Sequence, residues 1–317
     1  MVTPLHARDE LDVDGLERLI DHILKGGVSG LFLLGTTGEG PSLSYRVRRE
    51  VVQRACEQVK GRVPVLVAIT DTAFGESINL AKYAAEAGAD ALVVAAPYYL
   101  PPGQSELAGY LERLALELPL PLFLYNFPAL TKVEMRRDVL VRAMQNPRII
   151  GLKDSSADLA CLHEALSLVK SCQPDWTLLV GPEERLKDAV MLGAHGGIPG
   201  GANLFPRLYA KLVEATLAGD MPARDSLQAL VMRVSNSLYH FDPGSPGVIK
   251  GIKCALKCMG ICDDFMAEPF LRFEDDAREK VRQQAAALAK AIDLVLAQPA
   301  SPIRISGPRL CQRLSRP

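Results

Sequence analysis

The residue with the most chemical potential in this chain is a lysine at the end of an apolar run. In Gly151-Leu152-Lys153-Asp154-Ser155-Ser156 it closes Ile149-Ile150-Gly151-Leu152, which reads as a buried β-strand. Charge at the mouth of an apolar core must be paired or neutralised. An amine that has shed its proton is a nucleophile able to form a Schiff base with a carbonyl substrate. At the ordinary lysine pKa of ~10.4, fewer than about one amine in a thousand is neutral at pH 7. Lowering that value by about three units takes roughly 4 kcal/mol, which burial can supply. The competing reading is a structural salt bridge, with Asp154 the nearest acid. Neighbouring strand residues point to opposite faces, so that pair is poorly placed.

Two further segments stand where strands end. Gly35-Thr36-Thr37-Gly38-Glu39 follows the strand-like Leu31–Leu34. Glycines flanking two threonines let backbone N–H groups turn toward a ligand while the hydroxyls add donors, which suits a carboxylate. A tight turn with Glu39 capping the next segment reads equally well. Tyr125, in Tyr125-Asn126-Phe127-Pro128, ends another strand. A phenol beside a cationic iminium is a usable proton shuttle; a core tyrosine with a satisfied hydroxyl is the plainer alternative.

The elements that must position these residues alternate. Strands are predicted at Leu31–Leu34, Val63–Ile69, Ala91–Ala95, Leu120–Tyr125, Ile149–Lys153, Thr177–Val180 and near Gly196–Ile198, apolar along most of their length as in a parallel sheet covered on both faces. Amphipathic stretches lie between them at Ser77–Gly88, Glu106–Leu118, Arg136–Gln145, Asp158–Lys170 and Glu183–Leu192. The repeat of roughly 28 residues suits βα units, and 317 residues accommodate one α/β barrel with a remainder. The expected architecture is an α/β (β/α)8 TIM barrel over residues 1–222, C-terminal helices over 223–298 (Leu227–Leu238, Val248–Met259, Asp275–Leu296), and a disordered tail over 299–317 that has little to bury. Seven strands are easily placed; Val2–Leu5 is short for the eighth.

Composition removes several function classes. Lys plus Arg number 36 against 37 for Asp plus Glu, a net charge of −1, so no strong field draws nucleic acid. No apolar run approaches the ~18–20 residues of a membrane span, and Met1–Leu5 lacks the layout of a signal peptide. Seven cysteines without framework spacing suit a reducing, cytoplasmic setting. Cys254, Cys258 and Cys262 would share one helix face; packing is favoured over a metal site, since no histidine or CxxC pair joins them. His6, His22, His163, His195 and His240 show no ligand spacing, and no metal is expected.

Taken together, Gly35-Thr36-Thr37-Gly38-Glu39, Pro97-Tyr98-Tyr99, Tyr125-Asn126-Phe127-Pro128 and Gly151-Leu152-Lys153 resemble the dihydrodipicolinate synthase/N-acetylneuraminate lyase superfamily of class I pyruvate-type aldolases, over nearly the whole chain. The resemblance implies that Lys153 forms an imine with the 2-oxo carbon of pyruvate or a 2-oxo acid and that Tyr125 moves protons. It further implies that Thr36 links Tyr125 to a relay which Tyr99 completes from a neighbouring subunit. Thr37 would hold the substrate carboxylate, the Ile198 carbonyl would lie beside the lysine, and Gly181 would leave room for substrate. No cofactor beyond the lysine imine is implied; the partners are pyruvate, an aldehyde and further copies of the chain, as a dimer or tetramer.

Departures from named members bear on the substrate. Synthases that make dihydrodipicolinate carry an arginine five residues after the tyrosine, where this chain has Leu130, which cannot pair with a carboxylate. Pro128-Ala129-Leu130-Thr131 looks more like an N-acetylneuraminate lyase. Glu183 and Glu184 stand two and three positions past Gly181, where those lyases place acids on sugar hydroxyls; as residues opening a helix they would equally be favoured by its dipole. Pro199-Gly200 replaces the serine those lyases carry after Gly-Ile-Gly. Gly151-Leu152-Lys153-Asp154-Ser155-Ser156 also resembles aldolases of 2-keto-3-deoxy sugar acids, in which Ser155 would touch a hydroxyl. The expectation is a lyase forming or cleaving a C–C bond beside a pyruvate-derived enamine, on a 2-keto-3-deoxy sugar acid or sialic-acid-like substrate. A synthase condensing pyruvate with aspartate semialdehyde, and a non-catalytic ligand-binding barrel, are the alternatives.

Overall fold

The computed structural model describes residues 1–241 and 246–297. A short antiparallel hairpin, β1 (Leu5–Ala7) with β2 (Glu10–Leu11), precedes one curled parallel sheet of seven strands in sequential order: β3 (Leu31–Leu33), β4 (Val65–Ala68), β5 (Ala91–Ala95), β6 (Leu122–Asn126), β7 (Ile149–Asp154), β8 (Thr177–Val180) and β9 (Gly196–Gly197). Helices α1 (Val13–Lys25), α2 (Tyr45–Val59), α3 (Phe74–Glu86), α4 (Gln104–Glu117), α5 (Pro128–Thr131), α6 (Arg137–Met144), α7 (Leu159–Cys172), α8 (Leu186–Leu192) and α9 (Pro206–Ala218) connect the strands and jacket the sheet. This is the TIM-barrel-like α/β fold expected from the alternating pattern. Every residue of β3, β4, β5, β6 and β8 is buried, as strands covered on both faces must be.

All seven strands expected from the sequence are present, with ends shifted by one or two residues. β6 and β7 each run one residue further, to Asn126 and Asp154. β4 begins only at Val65; Pro64 has no N–H to donate, and its carbonyl accepts from Leu31 instead. The short N-terminal segment does not join the ladder. The Val2 N–H donates to Asn203 Oδ1, 2.9 Å away beyond β9, and Thr3 Oγ1 donates to the Gly38 carbonyl, 2.7 Å away beyond β3. Residues 2 and 3 thus span the gap between the two edge strands through side chains and a loop carbonyl. Pro4 supplies no ladder donor, and Leu5 turns to pair with Leu11.

Three more helices, α10 (Met221–Leu238), α11 (Pro246–Cys258) and α12 (Asp275–Leu296), follow the barrel. α10 starts where the Asp220 side chain accepts from the Ala223 N–H, an N-cap that satisfies one orphan donor. One apolar core runs from Val2 through the barrel to Leu230, Ile252 and Ile292, so these helices share the barrel's interior packing. Cys254 and Cys258 lie on α11 as expected, but Cys262 does not: Gly260, at φ 73°, ends the helical run before it. Burial pushes the Cys254 and Cys262 thiols up to about 12, as for thiols held in an apolar interior. The expected tail, 299–317, lies outside the described residues.

Candidate active site

Register brings the lysine and the tyrosine together. Tyr125 on β6 is the ladder partner of Lys153 on β7, and Lys153 is in turn the partner of Leu179 on β8. Ladder partners in a parallel sheet point to the same face. Lys153 Nζ lies 4.1 Å from the Tyr125 ring centroid and 4.8 Å from that of Phe32 on β3. The two rings meet edge to face with centroids 6.2 Å apart. Lys153 and Tyr125 are each only 6 % exposed. A cation at this nitrogen, ammonium or iminium, faces two ring quadrupoles in a site from which most water is excluded.

The next ladder pair, Asn126 and Asp154, must point the other way. Asn126 Nδ2 donates to Asp154 Oδ1 (2.9 Å) and Ser156 Oγ to Asp154 Oδ2 (2.8 Å). Burial raises the Asp154 carboxyl above the usual range, and the bonds from Ser156 and Asn126 partly offset this. Asp154 therefore ties the ends of β6 and β7 together on the helix side, and its hydrogen bonds go to Asn126 and Ser156.

The loop after β3 reaches the phenol. Thr36 Oγ1 and Tyr125 Oη are 3.1 Å apart, a hydroxyl–hydroxyl bond along which a proton can pass in either direction. Thr37 is half-buried, and its Oγ1 lies 3.9 Å from the point where a side chain on Gly200 would begin, so it faces the segment that follows β9. Glu39 stands at the N-cap of the next turn, but its side chain makes no capping bond there. Its carboxylate is paired with the fully buried Lys253 of α11. Lys253 went unnoticed in the sequence. The signal was there: it shares a helix with buried Ile249, Ile252 and Leu256, where a lysine needs a partner.

Ser155 is buried beside the lysine, its N–H held by the Asn126 carbonyl at 2.8 Å. A Cβ added at Gly181 would stand 1.9 Å from Ser155 Oγ and 3.5 Å from Lys153 Cε. The room that Gly181 leaves is filled first by these two side chains. Gly181→Ala should force Ser155 to rotate and crowd the lysine stem; a displacement of about 1 Å can cost on the order of 100-fold in rate. The check is the rate of borohydride-dependent labelling of Lys153 by pyruvate, expected to fall by about tenfold or more in a variant that still melts cooperatively. Ile198 is half-buried just past β9, its N–H bound to the Val180 carbonyl at 2.8 Å.

Glu183 departs from the expected role. It is buried, and its carboxylate is occupied by the protein rather than offered to a sugar: Oε1 accepts from Tyr209 Oη (2.6 Å) and Tyr239 Oη (2.9 Å), Oε2 from the Gly201 N–H (2.8 Å). It opens a 3₁₀ turn, Glu183–Arg185, and not the helix itself. Tyr209 lies on α9 and Tyr239 just past α10, so α9, the end of α10 and the loop after β9 converge on this one group. Burial pushes the Glu183 carboxyl up from 4.5 to about 7, against the lowering by Tyr209, Gly201 and Tyr239. The fold then binds a proton that the unfolded chain releases above about pH 4.5. The contribution to stability is complete below pH 4.5 and is lost as pH rises through about 7, on the order of 3 kcal/mol in all. Urea midpoints measured from pH 4.5 to 8 should fall more steeply for the native chain than for Glu183→Gln; parallel slopes would contradict this.

Tyr99 is 81 % exposed and Leu100 79 %, on the loop after β5. Leu130 is 37 % exposed on α5, with no guanidinium at that position. Phe32 was not picked out in the sequence; its only signal is being the one aromatic residue of its strand. Among the described residues, no helix is long and apolar enough to cross a membrane, and no three or more His, Cys, Asp or Glu side chains are grouped to hold a metal ion.

Known proteins resemble this chain in sequence and in fold. A profile of the dihydrodipicolinate synthetase family matches residues 1–288. The 4-hydroxy-tetrahydrodipicolinate synthase of Cereibacter sphaeroides is 34 % identical over 286 residues, 89 % of this chain and 94 % of its own. YagE of Escherichia coli K12, provisionally named a 2-dehydro-3-deoxy-D-gluconate aldolase, is 35 % identical over 246 residues, 77 % of this chain and 81 % of its own. Among solved structures, dihydrodipicolinate synthase from Bacteroides thetaiotaomicron superposes with a TM-score of 0.88 at 48 % identity, over 90 % of this chain and 96 % of that one. YagE in complex with pyruvate superposes at 0.85 and 30 % identity, over 91 % and 96 %. The names of these relatives divide between a synthase and sugar-acid aldolases, while the family profile, the identities and the superposed barrels agree along nearly the full length of the chain, which belongs to the dihydrodipicolinate synthetase family.

Proposed function

We propose that the chain is a class I lyase in which Lys153 forms a Schiff base with a 2-oxo acid and a C–C bond is made or broken beside the resulting enamine. The observation that carries this reading is the contact of Lys153 Nζ with the Tyr125 ring, together with the 3.1 Å bond from Tyr125 to Thr36. The neutral amine attacks the 2-oxo carbon, and Tyr125 relays the protons that turn the carbinolamine into an iminium and water. In cleavage the C4 hydroxyl loses its proton, the C3–C4 pair flows into the iminium, and an aldehyde leaves. The enamine takes a proton at C3, and hydrolysis returns pyruvate and the free lysine. Thr37 and the loop N–H groups hold the carboxylate, and the Ile198 carbonyl is assigned the task of accepting from the lysine nitrogen. Tyr99, exposed in one protomer, completes the proton relay in a partner within a dimer or tetramer. The imine is made from the protein's own lysine and needs no cofactor.

For the substrate, a 2-keto-3-deoxy sugar acid is the first choice. Leu130 offers no cation to an aldehyde that carries its own carboxylate, and Ser155, buried like Lys153 and near Gly181 with it, is the residue assigned to a substrate hydroxyl. A sialic-acid-like substrate is less favoured, because Glu183 is bound to two tyrosines. The synthase reading keeps support from the 34 % and 48 % identical relatives that bear that name. Borohydride with pyruvate should add mass at Lys153; an unlabelled chain would mean a binding protein. Pyruvate release from a panel of 2-keto-3-deoxy acids, run beside condensation of pyruvate with aspartate semialdehyde, ranks the substrates. Preference for the semialdehyde would overturn the sugar-acid choice.

A further inference from the structure

The loop that carries Thr36 and Thr37 is held in an unfavourable backbone conformation. Leu34 (φ 58°) and Glu39 (φ 54°), the residues on either side of it, are both left-handed without being glycine. Such residues persist where the surroundings over-determine them. Here the determinant is Glu39. Its N–H donates to the Thr36 carbonyl at 3.0 Å, closing the loop on the threonine that meets Tyr125. Its side chain reaches the C-terminal helices. There Oε1 is paired with Lys253 Nζ, and Oε2 accepts from the Ala267 N–H at 2.8 Å. Lys253 Nζ also donates to the Phe265 carbonyl at 2.6 Å and is completely buried. One carboxylate and one ammonium, 214 residues apart in sequence, thus fasten the substrate loop to α11 and to the strap at 265–267.

We propose that Glu39 and Lys253 are positioning residues that aim the Thr36 and Thr37 hydroxyls, so that the C-terminal helices work as part of the active site. The inference rests on the reading of those threonines given above. A buried ion pair is a poor device for stability alone, because two apolar residues of similar volume often serve as well or better. What apolar residues lack is direction: a charged, hydrogen-bonded pair sets distance and angle at both ends.

The test compares the native chain with Lys253→Met, which leaves a buried carboxylate uncompensated, and with the double variant Glu39→Leu/Lys253→Met, which removes both charges. Borohydride trapping by pyruvate in the native chain is the control for the underlying reading; if it fails there, the reading fails and not this inference. Given a native chain that traps, the double variant should melt cooperatively near the native temperature. Its half-saturating pyruvate concentration should rise at least tenfold, and its maximal trapping rate should fall as Thr36 drifts from Tyr125. A double variant with native half-saturation and rate, or one that does not fold, would overturn the proposal and reduce the pair to a support of the fold.

Discussion

Lys153→Ala is expected to lose activity by about 10⁴-fold or more, because the proposed covalent step loses its nucleophile. The fold should survive. Among the described residues Lys153 has no ion-pair partner; its Nζ meets the faces of Tyr125 and Phe32. Removing it therefore leaves no buried counter-charge behind, the event that makes breaking a buried pair so damaging. The measurements are pyruvate trapping by intact mass and a thermal melt. Trapping at another lysine in the variant would show that the nucleophile lies elsewhere, whereas loss of both trapping and cooperative melting would assign Lys153 a structural role.

Tyr125→Phe separates the two things that tyrosine does. The ring that lies 4.1 Å from the amine is retained, so the cation over its face keeps most of its stabilisation. The hydroxyl that meets Thr36 is lost. General acid–base catalysis by one positioned group is worth roughly 10²–10⁴-fold, and the rate of imine formation should fall by about that factor. The final extent of trapping at long times should be near native, because the iminium still has its aromatic wall. Tyr125→Ala should lose in extent as well as rate. Equal extents for the phenylalanine and alanine variants would mean that the ring contributes nothing to holding the iminium.

How much of this was legible depended on how local its cause was. The strands could be read because each is a short apolar run between turns, a pattern that survives without knowledge of neighbours. Lys153, Tyr125 and Thr36 could be singled out because each stands at the end of such a run. Glu183 stays between two readings in the sequence for the opposite reason. Its position past Gly181 is a local fact, but its fate depends on Tyr209 and Tyr239, 26 and 56 residues further on. Glu39 reads equally as part of a ligand nest or as the cap of its own turn, and neither reading reveals that its partner lies on α11. Residues 2–5 showed their shortness for a strand; that Leu5 would pair with Leu11 and leave the parallel ladder at seven strands was not visible.

From its order of amino acids alone, this chain already specified a barrel of βα units and the strand-end side chains to which imine chemistry is assigned in the proposal, because apolar periodicity and residue type are properties of short segments. The tertiary contacts settled the rest. They made Tyr125 and Lys153 ladder partners, laid the Phe32 ring against the amine, diverted Glu183 to the tyrosines and fastened the threonine loop to the far end of the chain. These depend on strand register and on helix packing over the sheet. Both are set by contacts between distant segments, which leave no local trace.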